Sequence, residues 1–212
     1  MTNSPRFYDI SPVISPKTAV FPGDQPFERD VLLDFKNGDN LVLSNIRATL
    51  HLGAHTDAPS HYHAQGQTID ERPLEVYFGL CQVISVKKSK GERLRKSDLT
   101  SVDIKAPRVL FKTGSFRDPN QWTDEFNSLS AELIDFLSEK KVILVGIDTP
   151  SIDPARDKTL ESHQAVWKHN MAILEGIILE NIPDGQYTLA SLPLRLKDCD
   201  ASPVRAVLIE GL

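Results

Sequence analysis

The chain has 212 residues, of which 40% are hydrophobic and 25% are charged, and this composition is typical of one globular domain spanning 1–212. It carries 24 Lys and Arg against 29 Asp and Glu, and the net charge of −5 argues against binding to nucleic acid or to an anionic membrane. No long apolar run indicates a signal peptide or a transmembrane helix. Two widely separated cysteines, Cys81 and Cys199, favour free core thiols in a cytoplasmic protein.

The predicted elements are mostly strands, with a few helices between them. In chain order, we expect strands at 6–11, 44–51, 79–87, 109–112, 142–147, 187–196 and 204–209. Helices are predicted at 131–140, where Ser130 is the N-cap, and at 159–168, whereas 12–30 is expected to be a loop with a turn at Pro22 and Gly23. This pattern predicts a single α/β domain that is richer in strand than in helix.

The segment 44–51 alternates strictly between the two sides of a strand. Ile46 and Leu50 share one side with two small residues, whereas Arg47 and His51 lie on the polar side. This period of two predicts a half-buried strand that ends with His51 on its polar face.

Four of the six histidines fall within thirteen residues, in and just after the segment HLGAHTDAPSH. His51, His55 and His61 surround Asp57 there, and imidazole and carboxylate are the usual ligands of first-row metals. The two oxygens of Asp57 would allow it to bridge two ions. The cluster therefore predicts a metal site, whereas His63 falls outside the main spacing and is expected to be an ordinary surface histidine.

This motif, continued as HLGAHTDAPSHY, resembles the signature of the metal-dependent cyclase-like hydrolases, and specifically that of the bacterial kynurenine formamidases. Further segments extend the resemblance, in order, over nearly the whole chain: YDISPVISPKTAVFPGD, VGIDTPSIDP, HQAVWKHNMAILEG and LPLRLKDCDASPVRAVL. The resemblance implies an α/β fold of the swivelling β/β/α type and a homodimer.

The resemblance also implies ligands for two divalent ions, with Asp57 and Glu175 touching both. The implied ligands are His51, His55, Asp57, His163 and Glu175. Three nitrogen donors with bridging carboxylates suit Zn²⁺, and Mn²⁺ or another divalent ion is the alternative. His61 is implied to be the proton-transfer residue, while His169 is expected to be structural.

The loop ending in Pro-Gly-Asp departs from the family pattern. The family usually carries a Trp there, in contact with the substrate ring, whereas this chain has Phe21 in VFPGD. Phe keeps a π-face for stacking but lacks the area and the N–H donor of an indole. Phe21 is therefore expected to contact the substrate ring.

The resemblance implies the hydrolysis of N-formyl-L-kynurenine to L-kynurenine and formate, with His61 as general acid and base, and the candidate ligands favour attack by metal-activated water. Hydrolysis of another aryl amide, or of a lactam such as isatin, is one alternative. A metal-binding protein without catalysis is the other, and the presence of His61 beside the ligands argues against it.

Two remaining features receive structural interpretations. The basic run 87–96 contains no aromatic residue and is expected to be a solvated surface loop rather than a nucleic-acid site. Asp148 follows the apolar run 142–147, at a strand end where sites often form, and is a candidate to support the site from behind.

Overall fold

Strands dominate the computed structural model of the chain, which describes residues 4–100 and 102–211. The strands are β1 (Arg6–Asp9), β2 (Glu28–Leu33), β3 (Leu43–Arg47), β4 (His55–Asp57), β5 (Phe78–Ser85), β6 (Arg93–Leu94), β7 (Arg108–Lys112), β8 (Ser128–Leu129), β9 (Leu144–Ile147), β10 (Ala172–Leu174), β11 (Gly185–Ala190), β12 (Ala201–Pro203) and β13 (Val207–Glu210). The α-helices are α1 (Ala131–Glu139) and α2 (Glu161–Lys168). Short 3-10 segments lie at Phe35–Asn37, Pro59–His61, Ile69–Glu71, Leu74–Tyr77 and Lys96–Leu99.

A seven-stranded mixed sheet forms the centre of the fold, in the order β1-β13-β11-β5-β7-β9-β10. The first four strands are antiparallel neighbours, whereas β5, β7, β9 and β10 are parallel. Shorter two-stranded pairs join β12 to β4, β2 to β3, and β6 to β8. The prediction of a strand-rich α/β fold is therefore confirmed.

The core lies on both faces of the parallel half of the sheet. Val109 and Phe111 of β7 pack with α1 and α2 on one face, whereas Leu110 packs in a second cluster on the other. Every residue of β9 is buried, as the continuous apolar run predicted. Helix α1 begins as predicted, because the Ser130 hydroxyl accepts a hydrogen bond from the backbone N–H of Leu133.

The prediction for 44–51 is wrong in both extent and burial. Strand β3 ends at Arg47 and forms a two-stranded ribbon with β2, and Ile46 on the predicted buried face is 72% exposed. Alternation shows that the two sides of a strand differ, but it does not show that another element covers the apolar side. His51 lies beyond the strand, in a bend that leads into β4.

Other boundaries shift for local reasons. The loop predicted at 12–30 ends early because β2 begins at Glu28, although its turn forms with Gly23 at a φ of 104°. Helix α2 begins at Glu161 because Leu160 has a left-handed φ of 49°. Strand β11 stops at Ala190, shortly before Pro193, which has no N–H to continue a ladder.

Two further findings concern the whole described chain. No helix among the described residues is long and apolar enough to cross a bilayer.

Both cysteines are free thiols, but only Cys81 is in the core, where burial raises the pKa of its thiol to about 12. Cys199 is half-buried, so the expectation of a core thiol is wrong for it.

Candidate metal centre

The short strand β4 carries two of the predicted ligands, His55 and Asp57, into the interior, where both are buried. On one edge β4 pairs with β12, so that Ala201 lies opposite Asp57. On its other side His55 and Glu175 exchange backbone hydrogen bonds of 3.1 and 2.9 Å. Backbone pairing therefore fixes the spacing of three predicted ligands before any side-chain contact is considered.

Two glycines permit this close approach. Gly53 and Gly176 have positive φ values of 59° and 66°, a conformation that side-chain-bearing residues rarely adopt. A Cβ atom at Gly176 would lie only 2.1 Å from the carbonyl oxygen of Gly53. The segment after Glu175 can therefore lie against the Gly53 carbonyl only because Gly176 has no side chain.

The two oxygens of Asp57 face different imidazoles. Oδ1 lies 3.0 Å from Nδ1 of His51 and 3.5 Å from Nε2 of His55, whereas Oδ2 lies 3.4 Å from Nε2 of His163. Glu175 is divided in the same way, with Oε2 3.2 Å from Nε2 of His55 and Oε1 3.8 Å from Nε2 of His163. Each carboxylate thus spans two neighbouring sets of nitrogen donors.

Each of the three imidazoles is also held by an oxygen on its far side. Nδ1 of His55 donates to the carbonyl of Gly53 at 3.0 Å, and Nδ1 of His163 donates to Asp153 at 2.7 Å. Nε2 of His51 contacts Asp200 at 3.0 Å. Because these oxygens accept hydrogen bonds, the opposite nitrogen of each ring, when the ring is neutral, has a lone pair that can bind a metal ion between the imidazole and the carboxylates, as in metal sites whose histidines are oriented from behind.

The electrostatics of the cluster favour positive charge. Burial disfavours the imidazolium of His51, but Asp57 and Asp200 outweigh it and raise the pKa of His51 to about 10. Burial is likewise outweighed at His163, whose pKa rises to about 10 beside Asp153 and Asp57. Burial also disfavours the ionised form of Asp57, yet His51 and His163 hold the pKa of this carboxyl well below its ordinary value.

Within this cluster of described residues, one buried side-chain atom is left without a hydrogen bond. Asp57 Oδ1 is inaccessible to solvent and has no hydrogen-bond partner among the described residues. Buried carboxylate oxygens rarely persist in that condition. Donor atoms of His55, Asp57 and Glu175 lie within 4.8 Å of one another, as do donor atoms of His51, Asp57 and His61. This donor set fits divalent metal ions, with Asp57 common to both groups.

His61 lies at the edge of this cluster. It ends the 3-10 segment Pro59–His61, and its ring centroid is 4.2 Å from that of His51. Its side chain is 36% exposed, compared with 3% for that of His55. His61 therefore faces a cavity of about 540 Å³, which the metal centre also lines.

Aromatic side chains form another wall of the cavity. They come from two separate loops and are Phe21, Phe116, Trp122 and Phe126. Phe21 and Trp122 meet edge to face, with ring centroids 5.3 Å apart. The cavity is thus lined by apolar aromatic rings as well as by imidazoles and carboxylates, a combination typical of small-molecule sites.

Comparison with known proteins places this site in a family. A family model for cyclases matches residues 8–154. The chain belongs to the cyclase family. It is also 40% identical to a kynurenine formamidase of Bordetella petrii over 205 residues, which cover 97% of this chain and 98% of that protein.

Solved structures of other proteins share the cyclase fold. A potential metal-dependent hydrolase with cyclase activity superposes with a TM-score of 0.85 at 26% identity, over 97% of this chain and 98% of that one. Isatin hydrolase A from Labrenzia aggregata superposes with a TM-score of 0.79 at 22% identity, over 98% and 94% of the two chains, and this likeness concerns the fold alone.

The remaining histidines of this cyclase-family chain lie elsewhere. His63 stacks on Trp167 with ring centroids 4.2 Å apart, and His169 contacts Asp135 at 2.6 Å. Neither lines the cavity.

The prediction that the whole basic run 87–96 is a solvated loop is wrong at Arg93. Its guanidinium reaches 2.5 Å from Asp153 Oδ1 and also pairs with Asp157 and Glu161. Asp153 is fully buried, and its negative charge needs a partner besides His163. Burial alone would raise the pKa of Asp153, but the contacts with His163 and Arg93 hold this pKa below its ordinary value.

Sequence reasoning missed Asp153, Asp200 and Trp122. Both aspartates lie within segments that carried the family resemblance, VGIDTPSIDP and LPLRLKDCDASPVRAVL, but nothing in the residues distinguished them from other acids. Asp148, in contrast, does support the cavity wall. Its oxygens accept hydrogen bonds from the backbone N–H groups of Thr113 and Gly114, and burial raises its pKa.

We predict that Gly176→Ala disrupts the centre, because the new Cβ atom would overlap the Gly53 carbonyl. Gly91→Ala is the matched control, since Gly91 has a φ of 79° but open space around it. The control should lose about 1–2 kcal/mol of unfolding free energy. Gly176→Ala should lose about 1–3 kcal/mol more. Urea denaturation measures both, and equal losses would contradict the importance of the close approach.

Proposed function

We propose that this chain hydrolyses N-formyl-L-kynurenine to L-kynurenine and formate, as a single domain spanning 1–212. The observation that carries the proposal is the cavity itself, which joins an aromatic wall to a buried cluster of imidazoles and carboxylates. An aryl formamide needs both features, a surface for its ring and polar groups at its reacting carbon. The name of the Bordetella petrii relative, a kynurenine formamidase at 40% identity, supports the same substrate.

We assign five ligands to two divalent ions, Zn²⁺ or alternatively Mn²⁺. His51, His55 and Asp57 form one set, and Asp57, His163 and Glu175 form the other, with Glu175 also reaching the first. The division of Asp57 and Glu175 oxygens between the two groups of imidazoles supports this assignment. When bound, the ions would polarise the formyl oxygen and lower the pKa of a water molecule.

His61 transfers the protons of the reaction. Its Nε2 takes a proton from the attacking water as the new C–O bond forms, and returns it to the aniline nitrogen as the C–N bond breaks. His61 shares a donor group with His51 and Asp57, but its side chain is 36% exposed, compared with 19% for His51 and 3% for His55. This greater exposure supports a role toward the cavity rather than a place in the ligand set.

Phe21 contacts the aryl ring of the substrate. It lies on the cavity wall and is 47% exposed, and Trp122 supports it edge to face. Trp122 also supplies an indole to this wall from another part of the chain, although its N–H is already donated to Asp124 at 2.8 Å.

Substrate turnover with the purified chain tests the function. We expect N-formyl-L-kynurenine to be hydrolysed faster than isatin, and chelation followed by dialysis to abolish activity until Zn²⁺ or Mn²⁺ is restored. Faster turnover of isatin would favour the lactam alternative, which the fold shared with isatin hydrolase A keeps open. Metal binding without turnover of either compound would favour the non-catalytic alternative.

We also propose that two copies of the chain associate and that they act in the cytoplasm. The ribbon of β2 and β3 and the segment that joins these strands expose apolar side chains, including Ile46 and Phe35, that a second copy would cover. The free thiols Cys81 and Cys199 support a reducing compartment. Sedimentation velocity tests the association, and a monomer at micromolar concentration would contradict it.

We predict that His61→Ala keeps its metal but loses about 10²–10⁴-fold in kcat, because a general acid and base is removed while the ligands stay. His63→Ala is the control, since His63 lies two residues away, outside the cavity. It should retain kcat. Metal analysis and steady-state kinetics decide the outcome, and a metal-depleted His61→Ala protein would identify His61 as a ligand instead.

We predict that Phe21→Ala raises KM by about two- to tenfold with little change in kcat, because stacking stabilises ground and transition states alike. Phe78→Ala is the control, because Phe78 is similarly exposed at 51% but lies outside the cavity. An unchanged KM for N-formyl-L-kynurenine in Phe21→Ala would contradict a contact with the ring.

A further inference from the structure

Asp200 occupies a fixed place beside the metal centre. It directly precedes β12, whose Ala201 lies opposite Asp57 in the pairing with β4. The backbone N–H of Ala58 donates to the Asp200 carbonyl at 2.8 Å, which extends this pairing by one residue. The side chain of Asp200 is therefore held at the edge of the cluster, where it is about half exposed.

A single oxygen of Asp200 contacts two imidazoles. Oδ2 lies 3.0 Å from Nε2 of His51 and 3.3 Å from Nδ1 of His61. The two rings lie against each other, with centroids 4.2 Å apart and planes tilted by 44°. A carboxylate oxygen has lone pairs for two N–H donors, so both contacts can be hydrogen bonds at the same time.

We propose that Asp200 is the positioning residue for proton transfer by His61. By accepting the Nδ1 proton of His61, Asp200 leaves the Nε2 lone pair of that ring available to the attacking water. By accepting the Nε2 proton of His51, the same oxygen leaves Nδ1 of His51 directed at Asp57 Oδ1, 3.0 Å away. This inference rests on the proposed function of His61, and it adds a residue that fixes the tautomer and orientation of its ring.

The shared oxygen distinguishes Asp200 from the other groups behind the centre. The Gly53 carbonyl and Asp153 each accept from one imidazole of a predicted ligand. Asp200 alone among these three acceptors also contacts His61, so it joins the orientation of the proton-transfer residue to that of His51. Removal of the Asp200 carboxylate should therefore lower turnover even when the metal sites are fully occupied.

The test compares Asp200→Ala and Asp200→Asn with Asp198→Asn. Asp198 is an exposed acid two residues away, and its φ of 60° suits asparagine. In the presence of saturating Zn²⁺, we expect Asp200→Ala to lose about 10- to 100-fold in kcat with KM unchanged. Asp200→Asn retains an acceptor oxygen and should recover part of that loss, whereas Asp198→Asn should match the wild type.

Nitrogen-15 NMR of the imidazole rings provides a readout that does not depend on the substrate. In the Zn²⁺-loaded wild type at alkaline pH, His61 should carry its proton on Nδ1, and Asp200→Ala should lose this preference. A wild-type His61 protonated on Nε2 would overturn the proposal. Full recovery of kcat in Asp200→Ala once Zn²⁺ is saturating would also overturn it, because Asp200 would then act through metal affinity alone. If the wild type did not hydrolyse N-formyl-L-kynurenine, the proposed function would fail, whereas the tautomer would still decide the role of Asp200.

Discussion

The burial of one carboxylate, that of Asp57, is the constraint on which the rest of the site depends. An ionised carboxylate in the interior costs several kcal/mol unless it is paired with positive charge and with hydrogen-bond donors. Three imidazoles converge on its two oxygens, two from the neighbouring residues His51 and His55 and one from the distant His163. That convergence requires β4 to lie between β12 and the segment of Glu175, and the contact between Gly53 and Gly176 makes the arrangement possible.

The acids that lie behind the imidazoles also need partners for their charge. Each imidazole that faces Asp57 is held by an oxygen behind it, and a buried oxygen that carries charge needs its own partner. Asp153 lies behind His163, and its partner is Arg93, whose side chain points inward from the basic run. Asp200 lies behind His51 and nearer the surface, where water can hydrate its carboxylate. The depth of each supporting acid therefore determines how much further structure it needs.

The sequence predicted those features whose cause is local. The apolar run of β9, the Ser130 cap of α1 and the histidine motif around Asp57 all depend on residues that are close neighbours in the chain. Features that depend on distant partners escaped prediction. The alternation around Ile46 did not reveal that its apolar side lacks a cover, and a basic run did not reveal that Arg93 points inward. His163 and Glu175 were selected through the family resemblance, because a lone histidine or glutamate carries little signal by itself.

The cavity separates the proposed metal ligands from the aromatic side chains that are proposed to contact the substrate. The predicted ligands lie on or beside β4, α2 and β10, where backbone pairing and buried contacts fix their geometry. Phe21 and Trp122 lie instead on loops, which tolerate substitution because few backbone hydrogen bonds depend on their side chains. A fold with this division can retain one set of metal donors while its aromatic wall changes to accept another ring. Phe21 stands where the family resemblance implies a Trp, and with Trp122 packed beside it this difference would be a change of the second kind, apart from the donor set around Asp57.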